Sequence, residues 1–162
     1  MVNWMAKEPM PPQLSPISNM HVISLTVVNR TDSKHLLPDK VRTDVVNRLN
    51  LRSNRVIFTR DDGMKADGTL AISIFKESGE RTKINQQTGG VTWKFQVKFS
   101  AELSQSSGQV IWSRPECDVW QIMTYDGPIP KEYHPGWEAE IADGYLIPQI
   151  ADILTKYLAN LR

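Results

Sequence analysis

Apolar and polar residues alternate without a break from Val91 to Leu103, in the stretch VTWKFQVKFSAEL. Val91, Trp93, Phe95, Val97, Phe99, Ala101 and Leu103 share one parity, and Thr92, Lys94, Gln96, Lys98, Ser100 and Glu102 share the other. Successive side chains of a strand point to opposite faces, so the pattern predicts a long strand with one dry face and one wet face. Upstream, TLAISIFKESGERTKI alternates through Leu70, Ile72 and Ile74. The NQQTGG between the two runs reads as a hairpin tip, where Gly89 and Gly90 supply permissive backbone. Downstream, QSSG turns the chain into QVIWSRPECDVWQIM. Pro115 has no N–H to give a ladder, which predicts that this last strand is an edge or is broken there.

Two further runs predict strands: the β-branched HVISLTVVN (His21–Asn29) and the short RVIFTR (Arg55–Arg60). Between them, LPDKVRTDVVNRLNL places Val41, Val45 and Leu49 at helical spacing with Val46 beside them, and Pro38 suits the first turn. The C-terminal WEAEIADGYLIPQIADILTKYLANLR carries an apolar stripe of Leu146, Ile150, Leu154, Tyr157 and Leu161. Pro148 opposes the carbonyl of Gly144, so a kink or a new helix start is expected there.

The order strand, helix, four strands, helix predicts an α+β fold. It is a two-layer α/β sandwich, with a mostly antiparallel sheet of four to five strands and two helices on one face. The expected core is Ile23, Leu25, Val45, Leu49, Ile72, Trp93, Phe95, Val97, Phe99, Leu146, Ile150 and Leu154, with the inward parity of the first strand the least determined. Residues 1–18, with Pro9, Pro11, Pro12, Pro16 and an isolated Trp4, are expected to form an extended N-terminal arm, and 19–162 a single domain.

Charge and candidate chemistry narrow the function classes. The 162 residues carry a formal net charge of +1, with no global field to favour nucleic acid. No run approaches the roughly 18 apolar residues of a membrane helix. The start, MVNWMAKEPMPPQLSP, lacks the apolar core of a signal peptide, which leaves open a cytoplasmic protein or an exported one whose signal has been removed. The single cysteine, Cys117, has no disulfide partner within the chain and is expected to be an inert thiol.

His21, His35 and His134 do not sit at metal-ligand spacing with one another, Asp61–Asp62–Gly63 reads as a turn, and Glu138 and Glu140 suit the start of a helix. No nucleophile elbow, phosphate loop or dinucleotide fingerprint is present. The expectation is a protein that is not an enzyme, with no catalytic residue, metal or cofactor. One cluster stands out: Lys76, Arg81, Lys83, Lys94 and Lys98, on the wet face and the hairpin tip, against only Glu77 and Glu80. It reads either as a solvated sheet face that resists aggregation or as a basic patch for a phosphorylated ligand.

From Ile17 to the C-terminus the order of short motifs resembles the LptE family, the outer-membrane lipoproteins of lipopolysaccharide assembly. The matching pieces are ISNMHVISLTVVNRT, ending in Asn29–Arg30–Thr31; the helix VRTDVVNRLNL; NRVIFTRDD; KADGTLAISI, with Ala66–Asp67 before a strand; and SGQVIWSR, followed by a closing helix. The outline is also similar to other periplasmic lipoproteins, such as the penicillin-binding-protein activator LpoB and curli-type secretion proteins.

The resemblance to LptE implies a non-enzymatic plug and partner of the LptD barrel that binds lipopolysaccharide. Lys76, Arg81, Lys83, Lys94 and Lys98 are the candidate contacts. It also implies localisation at the periplasmic face of the outer membrane, through a lipid anchor that internal Cys117 does not provide. The alternative is a periplasmic activator or scaffold that binds a cell-envelope enzyme or secretion protein.

Overall fold

The computed structural model describes residues 19–60, 65–84, 87, 90–125 and 140–158. The expected N-terminal arm, the Asp61–Asp62–Gly63 turn, His134, Glu138 and Leu161 lie outside them. Five strands and two helices follow in the expected order. They are β1 (Val22–Asn29), α1 (Pro38–Arg52), β2 (Ile57–Thr59), β3 (Gly68–Ile84), β4 (Val91–Gln105), β5 (Val110–Tyr125) and α2 (Ile147–Tyr157).

The strands form one sheet in the order β2-β1-β3-β4-β5. The long pairings, β3 with β4 and β4 with β5, are antiparallel. β1 runs parallel to both of its neighbours. Parallel neighbours need a crossover, and α1 supplies the one from β1 to β2.

Both helices bury their apolar stripes on the dry face. Val41, Val45, Val46 and Leu49 of α1 are buried, as are Ile147, Ile150, Ala151 and Leu154 of α2. Lys40 meets Asp143 at 2.5 Å near the start of both helices, and Arg52 meets Asp152 toward their ends. The two helices therefore run side by side in the same direction. Exposed pairs of this kind contribute little energy and chiefly fix alignment.

Pro148 is accommodated by a wide turn. Residues Ala142–Leu146 form a π-helical turn, Ile147 donates its backbone N–H to the Ala142 carbonyl, and α2 starts there with the proline in its first turn. The helical run is continuous through this point, with Leu146 and Ile147 both in the αR region, so the missing proline N–H falls next to a π-bulge, where the regular ladder is already interrupted.

The expected core residues are buried, Trp93 being half-buried and packed against the rest. Ile23 and Leu25 settle the inward parity of β1, while Val28 on the other parity is exposed. β5 is an edge strand, and its register shifts between Phe99 and Ala101 of β4, where Pro115 lies. Both expectations for the proline are met at one place.

Two substitutions probe this packing. Phe95 is 4% exposed, and Phe95→Ala is expected to cost about 3–5 kcal/mol in denaturant unfolding, as emptied aromatic core sites do. A loss well under about 1 kcal/mol would place the wrong face inside. At Gly68 a Cβ would stand 2.6 Å from the Ser104 backbone oxygen and 2.9 Å from the Met20 side chain. Because backbone cannot yield cheaply, Gly68→Ala is expected to lower the melting temperature despite adding one methyl group. An unchanged melting temperature would mean that the strands are further apart here.

Candidate functional site

Three motifs in the chain are turn devices. Asn29 ends β1. Its Oδ1 accepts from the Thr31 N–H at 2.9 Å and the Thr31 hydroxyl at 2.6 Å, and its Nδ2 donates to the carbonyls of Ser33 at 3.3 Å and Leu36 at 3.0 Å. This folds residues 30–37 into a compact loop off the end of the sheet. Asp67 ties down the opposite end of β1: its carboxylate accepts from the N–H groups of His21 and Val22 at 2.7 and 3.0 Å. Gly108 adopts φ +92° in the turn between β4 and β5, the left-handed region that glycine enters without steric penalty.

The loop after Asn29 leaves the sheet uneven. β1 pairs with β3 only as far as Asn29 opposite Ile74. Above that point β3, β4 and β5 continue as a three-stranded arm, through Ile84, Val91 and Tyr125. The register of β3 against β4 shifts between Ile74 and Lys76 and again between Arg81 and Lys83. Each shift inserts one residue, Phe75 and then Thr82, and each inverts the faces.

The candidate cations therefore divide. Lys76 lies opposite Lys98 and so shares the wet face with Lys94 and Lys98. Arg81 lies opposite Trp93, on the helix side, and is exposed; Lys83 is in register with Thr92. The five residues share the arm without sharing one face.

Several wet-face groups are engaged. Lys98 Nζ donates to Glu116 at 3.0 Å, and this bond and the neighbouring carboxylates hold the ammonium above its ordinary pKa. Gln96 Nε2 donates to both oxygens of Asp118 at 2.8 Å. Lys94 lies 5.4 Å from the ring centre of Trp120, a cation–π distance. Trp120 and Ile122 are exposed beside it, each nearly half open to solvent. This apolar pair beside lysines had no sequence signal that set it apart from core residues.

An open cleft of about 590 Å³ separates the loop after β1 from the lower arm, with Thr31, Asp32, Lys34, Phe75, Lys76 and Gly79 among its walls. It mixes both signs of charge. No group of three or more His, Cys, Asp or Glu side chains able to hold a metal occurs among the described residues, and no helix there is long and apolar enough to cross a membrane. Cys117 is buried on the dry face, and burial pushes its thiol pKa up against the opposing pull of Arg114. The thiolate is thereby disfavoured.

Neither a family model nor a curated protein sequence matches the chain. Among solved structures, the PelC L103M dodecamer from Paraburkholderia phytofirmans aligns over 86% of this chain and 86% of that one, at 17% identity and a TM-score of 0.45. A minor lipoprotein from Acinetobacter baumannii aligns over 85% of this chain and 89% of its own, at 13% identity and a TM-score of 0.43. Lipoprotein GNA1162 from Neisseria meningitidis aligns over 82% of this chain and 99% of its own, at 12% identity and a TM-score of 0.44. Bacterial lipoproteins thus recur among the structures to which this chain is similar.

Two predictions follow from the geometry. The His21 and Val22 N–H groups hold Asp67 below its ordinary pKa. A depressed carboxyl contributes stability above its unfolded value, near 3.9, and loses that contribution as pH falls through the lower folded value. Asp67→Ala is therefore expected to lower the urea midpoint at neutral pH, with the gap to wild type narrowing below about pH 4. A pH-independent gap would show that the charge has no part. Cys117→Ser is expected to fold and to bind its partners as wild type does; lost binding with unchanged stability would give the thiol a role.

Proposed function

We propose that this chain is a non-enzymatic cell-envelope protein that assists lipopolysaccharide assembly, as a partner of an LptD-like outer-membrane barrel and a binder of lipopolysaccharide at the periplasmic face of the outer membrane. The observation that carries the reading is the arm. Three strands continue past the end of β1, and their outer face presents Lys76, Lys94 and Lys98 with exposed Trp120 and Ile122 beside them. A glycolipid carries phosphates that match ammonium donors, and acyl chains that match an exposed indole and a branched aliphatic side chain. An arm of this form also has the reach to enter a barrel lumen. The ordered motifs from Ile17 onward support the same reading.

A second reading rests on a specific observation. Lys98 with Glu116, and Gln96 with Asp118, satisfy one another across β4 and β5, as on a solvated sheet face. That favours a periplasmic scaffold or activator that binds a cell-envelope enzyme or secretion protein through another surface.

Charge reversal separates the two. Lys76→Glu, Lys94→Glu is expected to keep the melting temperature within a few degrees, because both sites lie on the outer face. Affinity for purified lipopolysaccharide should fall about tenfold or more, and wild-type affinity should weaken as salt rises. Binding unchanged by the variant would remove the outer face from the site. Co-purification with a large outer-membrane barrel from native membranes supports the first reading; recovery of a peptidoglycan synthase in its place supports the second.

A further inference from the structure

We propose that the cleft beside β3 holds the C-terminal end of an extended peptide from another protein. The peptide adds to the upper edge of β3 as an antiparallel strand and sets its terminal carboxylate against Lys34 and Lys76. The reading goes beyond the proposed function and does not depend on it. Two other strand edges are blunted. On β2, Asn50 accepts from the Phe58 N–H at 2.8 Å and donates to the Phe58 carbonyl at 2.9 Å. On β5, Pro115 lies at a register shift, and Gln149 Nε2 donates to the Trp120 carbonyl at 2.9 Å. Native sheets defend their edges by such means. β3 above Ile74 has no strand on its β1 side among the described residues, and the cleft of about 590 Å³ runs along residues 75–79.

The backbone sets what this edge offers and where it stops. The Ile74 carbonyl faces β1 and accepts from the Arg30 N–H at 2.8 Å. The inserted Phe75 inverts the alternation, so Gly79 and Arg81 turn their N–H and C=O groups away from β4. Extended peptides bind such edges by adding a strand. The loop after Asn29 closes the lower end of the path. It is tied internally: the Ser33 N–H donates to the Thr31 hydroxyl and the His35 N–H to the Ser33 hydroxyl, both at 3.1 Å. A strand that ran on past Ile74 would collide with this floor, whereas a strand that ends on it would not. The occupant is therefore a chain terminus.

Charge selects which terminus. A strand antiparallel to β3 brings its carboxylate to the floor, and a parallel one brings its amine. Lys34 on the loop and Lys76 on β3 line the cleft there, and neither is in an ion pair among the described residues. Of the two acids in the walls, Asp32 is exposed and Glu77 already has an interaction of its own. Two ammonium groups at the end of the path favour a carboxylate, which charge-assisted hydrogen bonds hold. Directly opposite residues of an antiparallel pair share a face, so the register assigns side chains. A peptide whose last residue lies level with Glu77 sets its third residue from the end opposite Gly79 and its fifth opposite Arg81. Gly79, without a side chain, leaves room for a large ring. Arg81 is exposed and favours an acid. Phe75, 41% exposed in the cleft wall, offers an apolar contact to the last side chain. None of these contacts uses a group of Glu77.

The test is fluorescence anisotropy of the full chain with a labelled hexapeptide. The peptide ends in valine with a free carboxylate and carries phenylalanine third and aspartate fifth from that end. The same peptide with an amidated C-terminus is the comparison. The free acid is expected to bind with a dissociation constant below about a millimolar, and the amide about tenfold or more weakly. Lys34→Glu, with folding checked by circular dichroism, should weaken the free acid by about tenfold or more. Amide hydrogen exchange locates the peptide: it should slow Gly79 and Arg81 and leave Ser78 and Glu80, already bonded to β4, unchanged. No binding at millimolar concentration, or equal binding of acid and amide, overturns the proposal. So does binding that leaves exchange at Gly79 and Arg81 unaltered. Unchanged affinity in a folded Lys34→Glu chain overturns the carboxylate seat. If Lys34→Glu unfolds the chain, the acid–amide comparison and the exchange pattern of the wild type decide alone.

Discussion

The four hydrogen bonds of the Asn29 side chain decide how far the sheet is complete. They fold the chain off β1 into the loop that leads to α1. Below that level the sheet has five strands under two helices; above it three strands go on without β1. The cleft and the unequal edges all follow from one strand stopping where its neighbour does not. Replacing Asn29 would remove groups that satisfy two carbonyls and a backbone N–H, so the loop has no cheap alternative conformation.

The base of β1 is fixed with equal economy. Asp67 holds the N–H groups of His21 and Val22, and Gly68 beside it admits the close approach of Ser104 and Met20. With both ends of β1 set, the parallel registers to β2 and β3 are determined. The antiparallel hairpins then extend the sheet by local connections, and the arm's length comes from β3, β4 and β5 alone. Its outer face remains polar with an apolar island at Trp120 and Ile122.

Much of the fold was legible because one face is dry. The alternation from Val91 to Leu103 named the inward residues of β4, and the spacing of Val41, Val45 and Leu49 named the buried face of α1. Pro148 and Pro115 announced an interrupted helix ladder and a broken edge by removing N–H groups. Strand partners were less legible, because the period of β1 is the same whether its neighbours run parallel or antiparallel. The faces of upper β3 were illegible for a clearer reason. KESGERT has no apolar residue to mark an inward position, so the insertions at Phe75 and Thr82, and with them the side on which Arg81 lies, left no trace in the hydrophobic pattern. The cleft also had no signal, since it is built by backbone path. The motifs Asn29–Arg30–Thr31 and Ala66–Asp67 did carry information, and its content is turn geometry.

The upper part of β3, which has no strand on its β1 side among the described residues, is the feature on which the arm and the cleft rest, and amide hydrogen exchange of the full chain in dilute solution measures it directly. Ser78 and Glu80 turn their N–H groups toward β4, whereas Gly79 and Arg81 turn theirs to the open side. The predicted result is slow exchange at Ser78 and Glu80 and fast exchange at Gly79 and Arg81. Equal and strong protection of all four amides in dilute solution would contradict it, because the edge would then already be covered within a single chain.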